Sequence, residues 1–233
     1  MTLTCCWDLS AANWIVDSHL PWQQLVGFGP AGFDSYARLR FLPDPVRPGQ
    51  SENDVPADWR AGQSPALFEV LAIHTATPDD CYFCVWDGFG HGEVGIDDDA
   101  VYVHDATAGA EFAQTVARPG RAPVALPSIS PLMPQLPQLP KVVVPHRAYW
   151  LFRGPLAEVG SWDGAREWPG QCRLDEVEPA FSWPADHAWC VARDVDPHWA
   201  GIGGTHSLIA ALMTDPRLDL VPADPTQAQP AYQ

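Results

Sequence analysis

The hexapeptide Cys81-Tyr82-Phe83-Cys84-Val85-Trp86 is apolar at every position. In an extended strand successive side chains point to opposite faces. Cys81, Phe83 and Val85 then share one face, and Tyr82, Cys84 and Trp86 the other. A strand apolar on both faces is a central strand with a packed layer on each side. Asp87-Gly88 supplies a turn after it. Further strands are expected at Ala100–His104, on both sides of Pro145 within Lys141–Leu156, at His187–Val195 and at Leu218–Val221.

Helix signals are fewer. Ser18 and Pro21 open a short amphipathic segment over 18–28, with Leu20, Gln24 and Phe28 on one side. Residues 67–77 begin as a helix, with Leu67, Val70 and Leu71 on one face, and end as a strand through Ile73 and Thr75. Gly201–Met213 reads as a glycine turn feeding a helix with Thr205 as its N-cap. The expected fold is α+β: a single domain with a mostly antiparallel mixed sheet and a few short helices. Its central strands would be 81–86, 147–153 and 187–195.

A proline-rich insertion interrupts the pattern between about 105 and 140. Pro131, Pro134, Pro137 and Pro140 recur every third residue, the repeat of a polyproline II helix. Met133, Leu136 and Leu139 line a second edge. Such a stretch serves as a semi-rigid spacer or as a ligand for an aromatic groove on another protein. The polar residues 223–233 are expected to form a flexible tail.

Charge narrows the partners. The chain carries 29 acidic and 13 basic residues, a formal net charge of −16, and Lys141 is its one lysine. Phosphate backbones and anionic membranes are bound by lysine and arginine, and no basic stripe occurs here. Nucleic acid and membrane are therefore not expected partners, and a basic protein is the electrostatically natural one. No run approaches the length of a membrane span, and a secretory signal is not expected from Met1–Ser10, which lacks a basic start and an apolar stretch. A cytoplasmic location with free thiols is expected for the six cysteines.

Four groups of residues invite a chemical reading. Cys81 and Cys84 have the CxxC spacing of a zinc knuckle, but a strand sends i and i+3 to opposite faces. Cys172 and Cys190 do not supply a second pair. Buried structural cysteine is the preferred reading. Asp194, Asp196 and His198 alternate, so an extended backbone would put two carboxylates and an imidazole on one face, suited to a divalent metal. A polar strand end entering a turn is the simpler alternative. His187, beside Asp186, could act as a general base. Gly201-Ile202-Gly203-Gly204-Thr205 before a helix could hold an anion, although a tight turn explains the glycines as well. Asp97-Asp98-Asp99, between His91 and His104, reads as a solvated turn. Trp150, Trp183, Trp189 and Trp199 could form a binding platform and are read first as core.

Several stretches resemble a family of proteins from high-GC bacteria to which no activity is assigned. They are LPWQQLVGFGPAGFDSYARLRFLPDP at 20–45, HTATPDDCYFCVWDG at 74–88, VPHRAYWLFRGPL at 144–156, PAFSWPADHAWCVARDVDPHWAGIGG at 179–204 and PRLDLVPADP at 216–225. A fainter likeness, resting on Leu20-Pro21 opening an early helix, on mixed strands and on acidity, is to SUKH-type immunity proteins. That likeness implies an α+β protein that neutralises a toxin by binding it, and it carries over no residue role.

The expected function is a non-catalytic protein-binding protein, immunity-like or regulatory, without a cofactor. Two alternatives stand beside it. One is a metal-dependent hydrolase with Asp194, Asp196 and His198 as ligands and His187 as base. The other is a zinc-stabilised binding fold using Cys81 and Cys84.

Overall fold

The computed structural model describes residues 3–55, 62–87, 92–97, 100–105, 140–159, 178–194 and 197–232. The fold is α+β. The strands are β1 (Thr4–Cys5), β2 (Ser35–Arg40), β3 (Cys81–Trp86), β4 (Gly92–Asp97), β5 (Ala100–Asp105), β6 (Val142–Val144), β7 (Arg147–Gly154), β8 (Phe181–Pro184), β9 (Cys190–Ala192), β10 (Trp199–Gly204) and β11 (Leu220–Pro222). The helices are α1 (Asn13–Val16), α2 (Trp22–Phe28), α3 (Ser64–Ile73) and α4 (His206–Thr214). Nine strands form one sheet in the order β1-β7-β3-β8-β9-β10-β2-β11, with β6 also paired to β7. Every ladder between described strands is antiparallel. The β4–β5 hairpin is a separate two-stranded sheet. The proline-rich stretch 106–139 lies outside the described residues.

The strand β3 sits between β7 and β8, as its two-sided apolar pattern requires. Cys81, Phe83 and Val85 join Trp150, Phe152, Val191 and Ile202 in one core, closed by Leu67 and Leu71 of α3 and by Leu208 and Leu212 of α4. Cys84 joins Tyr149, Leu151, Phe181, Trp183 and Cys190 in the other, closed by Ile15 of α1 and by Leu25 and Val26 of α2. The result is three layers with the sheet in the middle. Phe83 is fully buried, and removing a side chain of that size from water contributes about 2–3 kcal/mol.

Some local expectations hold and others do not. Val142–Val144 and Arg147–Gly154 form a hairpin around Pro145-His146, as expected. The Thr205 hydroxyl accepts from the Leu208 amide and caps α4. The helix α3 continues through Ile73 with no strand at its end, because Leu67 and Leu71 pack onto the sheet at helical spacing. The strand expected over 187–195 is confined to Cys190–Ala192, since His187 takes a positive φ of 54° and turns the chain out of extension. Phe181–Pro184 is a strand not expected from its short, proline-ended sequence.

The glycine segment is the largest difference. Residues Trp199–Gly204 form a fully buried strand, not a turn. Glycine disfavours strands, but here a close crossing requires it. A Cβ on Gly201 would overlap the Gly27 carbonyl oxygen of α2, and one on Gly203 would overlap the Phe33 ring. The missing side chains let α2 lie directly on the sheet.

Residues 223–232 fold back onto the body. The Ala223 amide donates to the Tyr36 carbonyl, and the Tyr232 hydroxyl donates to the Pro43 carbonyl at 2.5 Å. Among the described residues no helix is long and apolar enough to cross a membrane.

Candidate functional site

The densest polar group is built where β2, β10 and β11 end together. In β2, Ala37 and Leu39 face the core beneath α3 and α4, so alternation turns Arg38 and Arg40 to the opposite face. Arg38 is cross-strand from Gly201 on one side and Val221 on the other. Both its terminal nitrogens donate to Asp44, at 2.8 and 3.0 Å, and its guanidinium lies 5.5 Å from the centre of the Trp199 ring. Arg40 donates to Asp44 at 3.4 Å and to Asp219 at 2.7 Å. Gln63 ties the group to the start of α3, donating to the Arg40 carbonyl and accepting from the Asp219 amide.

His198 completes this group. Its Nε2 is 3.2 Å from Asp44 Oδ1, its side chain is 2% exposed, and the Tyr232 ring packs edge-on against it at 4.7 Å. Burial lowers the His198 pKa, opposed by the hydrogen bond and charge of Asp44. Burial would raise the Asp44 pKa, but the hydrogen bonds from Arg38 and His198 and the charges of Arg38 and Arg40 hold it at about 2. At neutral pH the carboxylate is ionised and only accepts, so Nε2 of a neutral imidazole carries the proton. An Asp–His pair of this kind can orient a general base. Here the carboxylate is already clasped by Arg38, and the imidazole is covered by Tyr232. The arrangement fixes the chain segment 38–44 to the start of β10.

Asp194 belongs to a different group. Its oxygens accept from Arg147 Nε and Nη2 at 3.3 and 3.5 Å. That guanidinium lies 5.7 Å from the Trp22 ring centre and 5.3 Å from that of Trp86, and cation–π attraction reinforces the ion pair. Asp196 lies outside the described residues. Asp194 and His198 thus engage separate partners, Arg147 and Asp44. Among the described residues no group of three or more His, Cys, Asp or Glu side chains is placed to hold a metal.

His187 does not join them. The register pairs Cys190 with Gly203 and Ala192 with Gly201, so His187 and His198 extend past opposite ends of the β9–β10 ladder. The His187 ring stacks on Trp14 at 4.1 Å with the planes 20° apart. Asp186 accepts from Thr75 Oγ1 and from the amides of Ala76 and Ala188, pinning the loop after α3 to the β8–β9 turn. His187, the base in the alternative hydrolase reading, lies by this register at the other end of the ladder from His198.

Cys81 and Cys84 lie in opposite cores. Burial pushes the Cys81 thiol up to about 12 and holds Cys84 and Cys190 well above the ordinary thiol range. A thiolate is what binds zinc or attacks an electrophile, and these environments oppose it. Cys172 lies outside the described residues, as do His91, Asp98 and Asp99; Asp97 ends β4 and His104 lies in β5. The glycines at 201–204 belong to a strand, not to the tight turn expected there or to the anion-holding loop weighed beside it. Trp150, Trp183 and Trp189 are fully buried and Trp199 nearly so. The Trp189 indole donates to the Leu71 carbonyl at 3.1 Å. These four are core, not a platform.

The spacing of 194, 196 and 198 drew attention to His198 but not to Arg38, Arg40, Asp44, Asp219 and Tyr232. The run Arg38-Leu39-Arg40 between apolar residues and before Asp44 carried the signal, since arginine on an inward strand face needs a carboxylate. No family model, curated protein or solved structure matches the chain.

Proposed function

We propose that this chain is a non-catalytic protein-binding protein, immunity-like or regulatory, whose acidic surface engages a basic protein. The observation that supports the reading is the fate of its cations. The described basic side chains are Arg38, Arg40, Arg47, Lys141, Arg147, Arg153, Arg193 and Arg217. Each is ion-paired to an Asp or Glu of the same chain. Meanwhile Asp8, Asp17, Asp34, Asp79 and Asp224 face solvent. With −16 over the full chain, the outward field is negative, which steers a cationic partner and repels an anionic one. The residue types that could do chemistry support the same reading. The thiols of Cys81, Cys84 and Cys190 are buried and protonated, His187 is stacked, and Asp194 and Asp44 are clasped by arginine.

The test is capture from native lysate at low salt, followed by purification of what is captured and measurement of its affinity. The proposal expects a partner of positive net charge. Combined Asp→Asn changes at 8, 17, 34 and 79 should weaken binding while leaving the folded state intact. A partner of negative charge, or one indifferent to the four changes, would count against the acidic surface as the binding element.

A further inference from the structure

We propose that residues 223–232 form a strap, latched by Tyr232, that covers the His198 end of the His198–Asp44–Arg38 group and can open without unfolding the body. Hydrogen bonds hold the strap to the body at its two ends. At one end the Ala223 amide extends the β11–β2 pairing to the Tyr36 carbonyl. At the other, the Tyr232 hydroxyl reaches the Pro43 carbonyl and the ring covers His198. Between them, the hydrogen bonds run within the strap: the Thr226 amide and hydroxyl and the Gln227 amide close on Asp224, and Gln229 Nε2 donates to the carbonyls of Asp224 and Gln227. A segment that carries its own turn and holds on by its ends is the kind that opens locally.

What lies beneath makes the latch consequential. Arg38 and His198 are both about nineteen-twentieths buried, and buried ionisable groups are costly unless water is kept out and partners are kept in. The charged or titratable groups acting on His198 are Asp44 and Arg38 beside it, Glu52 further off, and the Tyr232 phenol above it. The phenol, with an ordinary pKa of about 10 that burial only raises, carries no charge at neutral pH. Opening the strap therefore admits water to His198, which is held by Asp44, without breaking an ion pair between described residues.

Diethylpyrocarbonate labelling, read histidine by histidine by mass spectrometry, tests this on the full chain at neutral pH. In the unaltered protein His198 should react far more slowly than His19 and His206. In Tyr232→Ala, which removes both the ring and its hydrogen bond, His198 labelling should accelerate by about tenfold, with His19 and His206 unchanged. Tyr232→Phe, which keeps the ring, should fall between. Fast labelling of His198 in the unaltered protein overturns the proposal, as does a Tyr232→Ala rate equal to it. Global unfolding of Tyr232→Ala also overturns it, because the strap would then not be separable from the body.

Discussion

Cys81 and Cys84 are three positions apart in one strand, and their thiols lie in different cores. Cys81 sits beneath α3 and α4 with Phe83, and Cys84 beneath α1 and α2 with Trp183. The sheet itself stands between the two sulfurs. A CxxC segment held in this way is a structural element whose cysteines fill space on both sides of a central strand.

Thiol labelling follows from that relationship. Cys81, Cys84 and Cys190 are fully buried, so alkylation by iodoacetamide should proceed only through global unfolding, with all three modified together as denaturant rises. Cys5 and Cys6 are half-buried and should react first. Selective, rapid labelling of Cys81 or Cys84 in native buffer would place them in an accessible site.

Substitution at Cys84 gives a second check. Cys84→Ser puts a hydroxyl among Tyr149, Leu151 and Phe181, and burying it without a partner should cost about 1–3 kcal/mol in urea unfolding. Cys84→Ala should cost less than the serine variant, since no polar group is buried. The reverse order would mean that the site is polar.

The crossing of α2 over β10 predicts a steep penalty at Gly201. A methyl group there overlaps the Gly27 carbonyl oxygen and comes within 2.7 Å of the Phe28 ring. Backbone cannot rotate away as a side chain can, so Gly201→Ala should cost about 3 kcal/mol or more by urea unfolding. A change at Gly32, where a Cβ meets nothing within 4 Å, should involve backbone strain alone and cost less.

Much of this architecture was legible. Both-sided apolarity placed β3 at the centre, and Pro145 divided β6 from β7. What was not legible has a physical pattern. Gly201–Gly204 reads as a turn in sequence because glycine weakens strands in general, and the reason for the strand here is a helix joined to it only through the fold. His198 was visible as a candidate, but its partner Asp44 is 154 positions away. The clasp of Arg38 on Asp44 depends on β2 and β10 being neighbours, which periodicity does not reveal. His187 is only eleven positions from His198 in sequence, yet the antiparallel register carries it to the far end of the ladder.

The Asp44 group sets a pH dependence. Both Asp44 and His198 have native pKa values below their ordinary ones, so the unfolded chain binds more protons and stability falls as pH falls. The His198 share should be lost on acidifying from about 6.5. The Asp44 share should be lost between the ordinary 3.8 and about 2. Asp44→Asn, which leaves Arg38 without its anion, should cost about 3 kcal/mol at pH 7 and remove the lower of the two transitions. Urea unfolding from about pH 8 to about pH 2 reads both; stability that rises on acidification through pH 6 would contradict the assignment.

The most direct measurement is the association rate of the purified chain with its captured partner between 20 and about 300 mM salt, a range over which the screening length shortens from roughly 20 Å to 6 Å. An acidic surface that steers a basic protein predicts a rate that falls by at least about tenfold across the range, with a much smaller change in the dissociation rate. An association rate that stays flat would mean that the charge of this chain plays no part in what it binds.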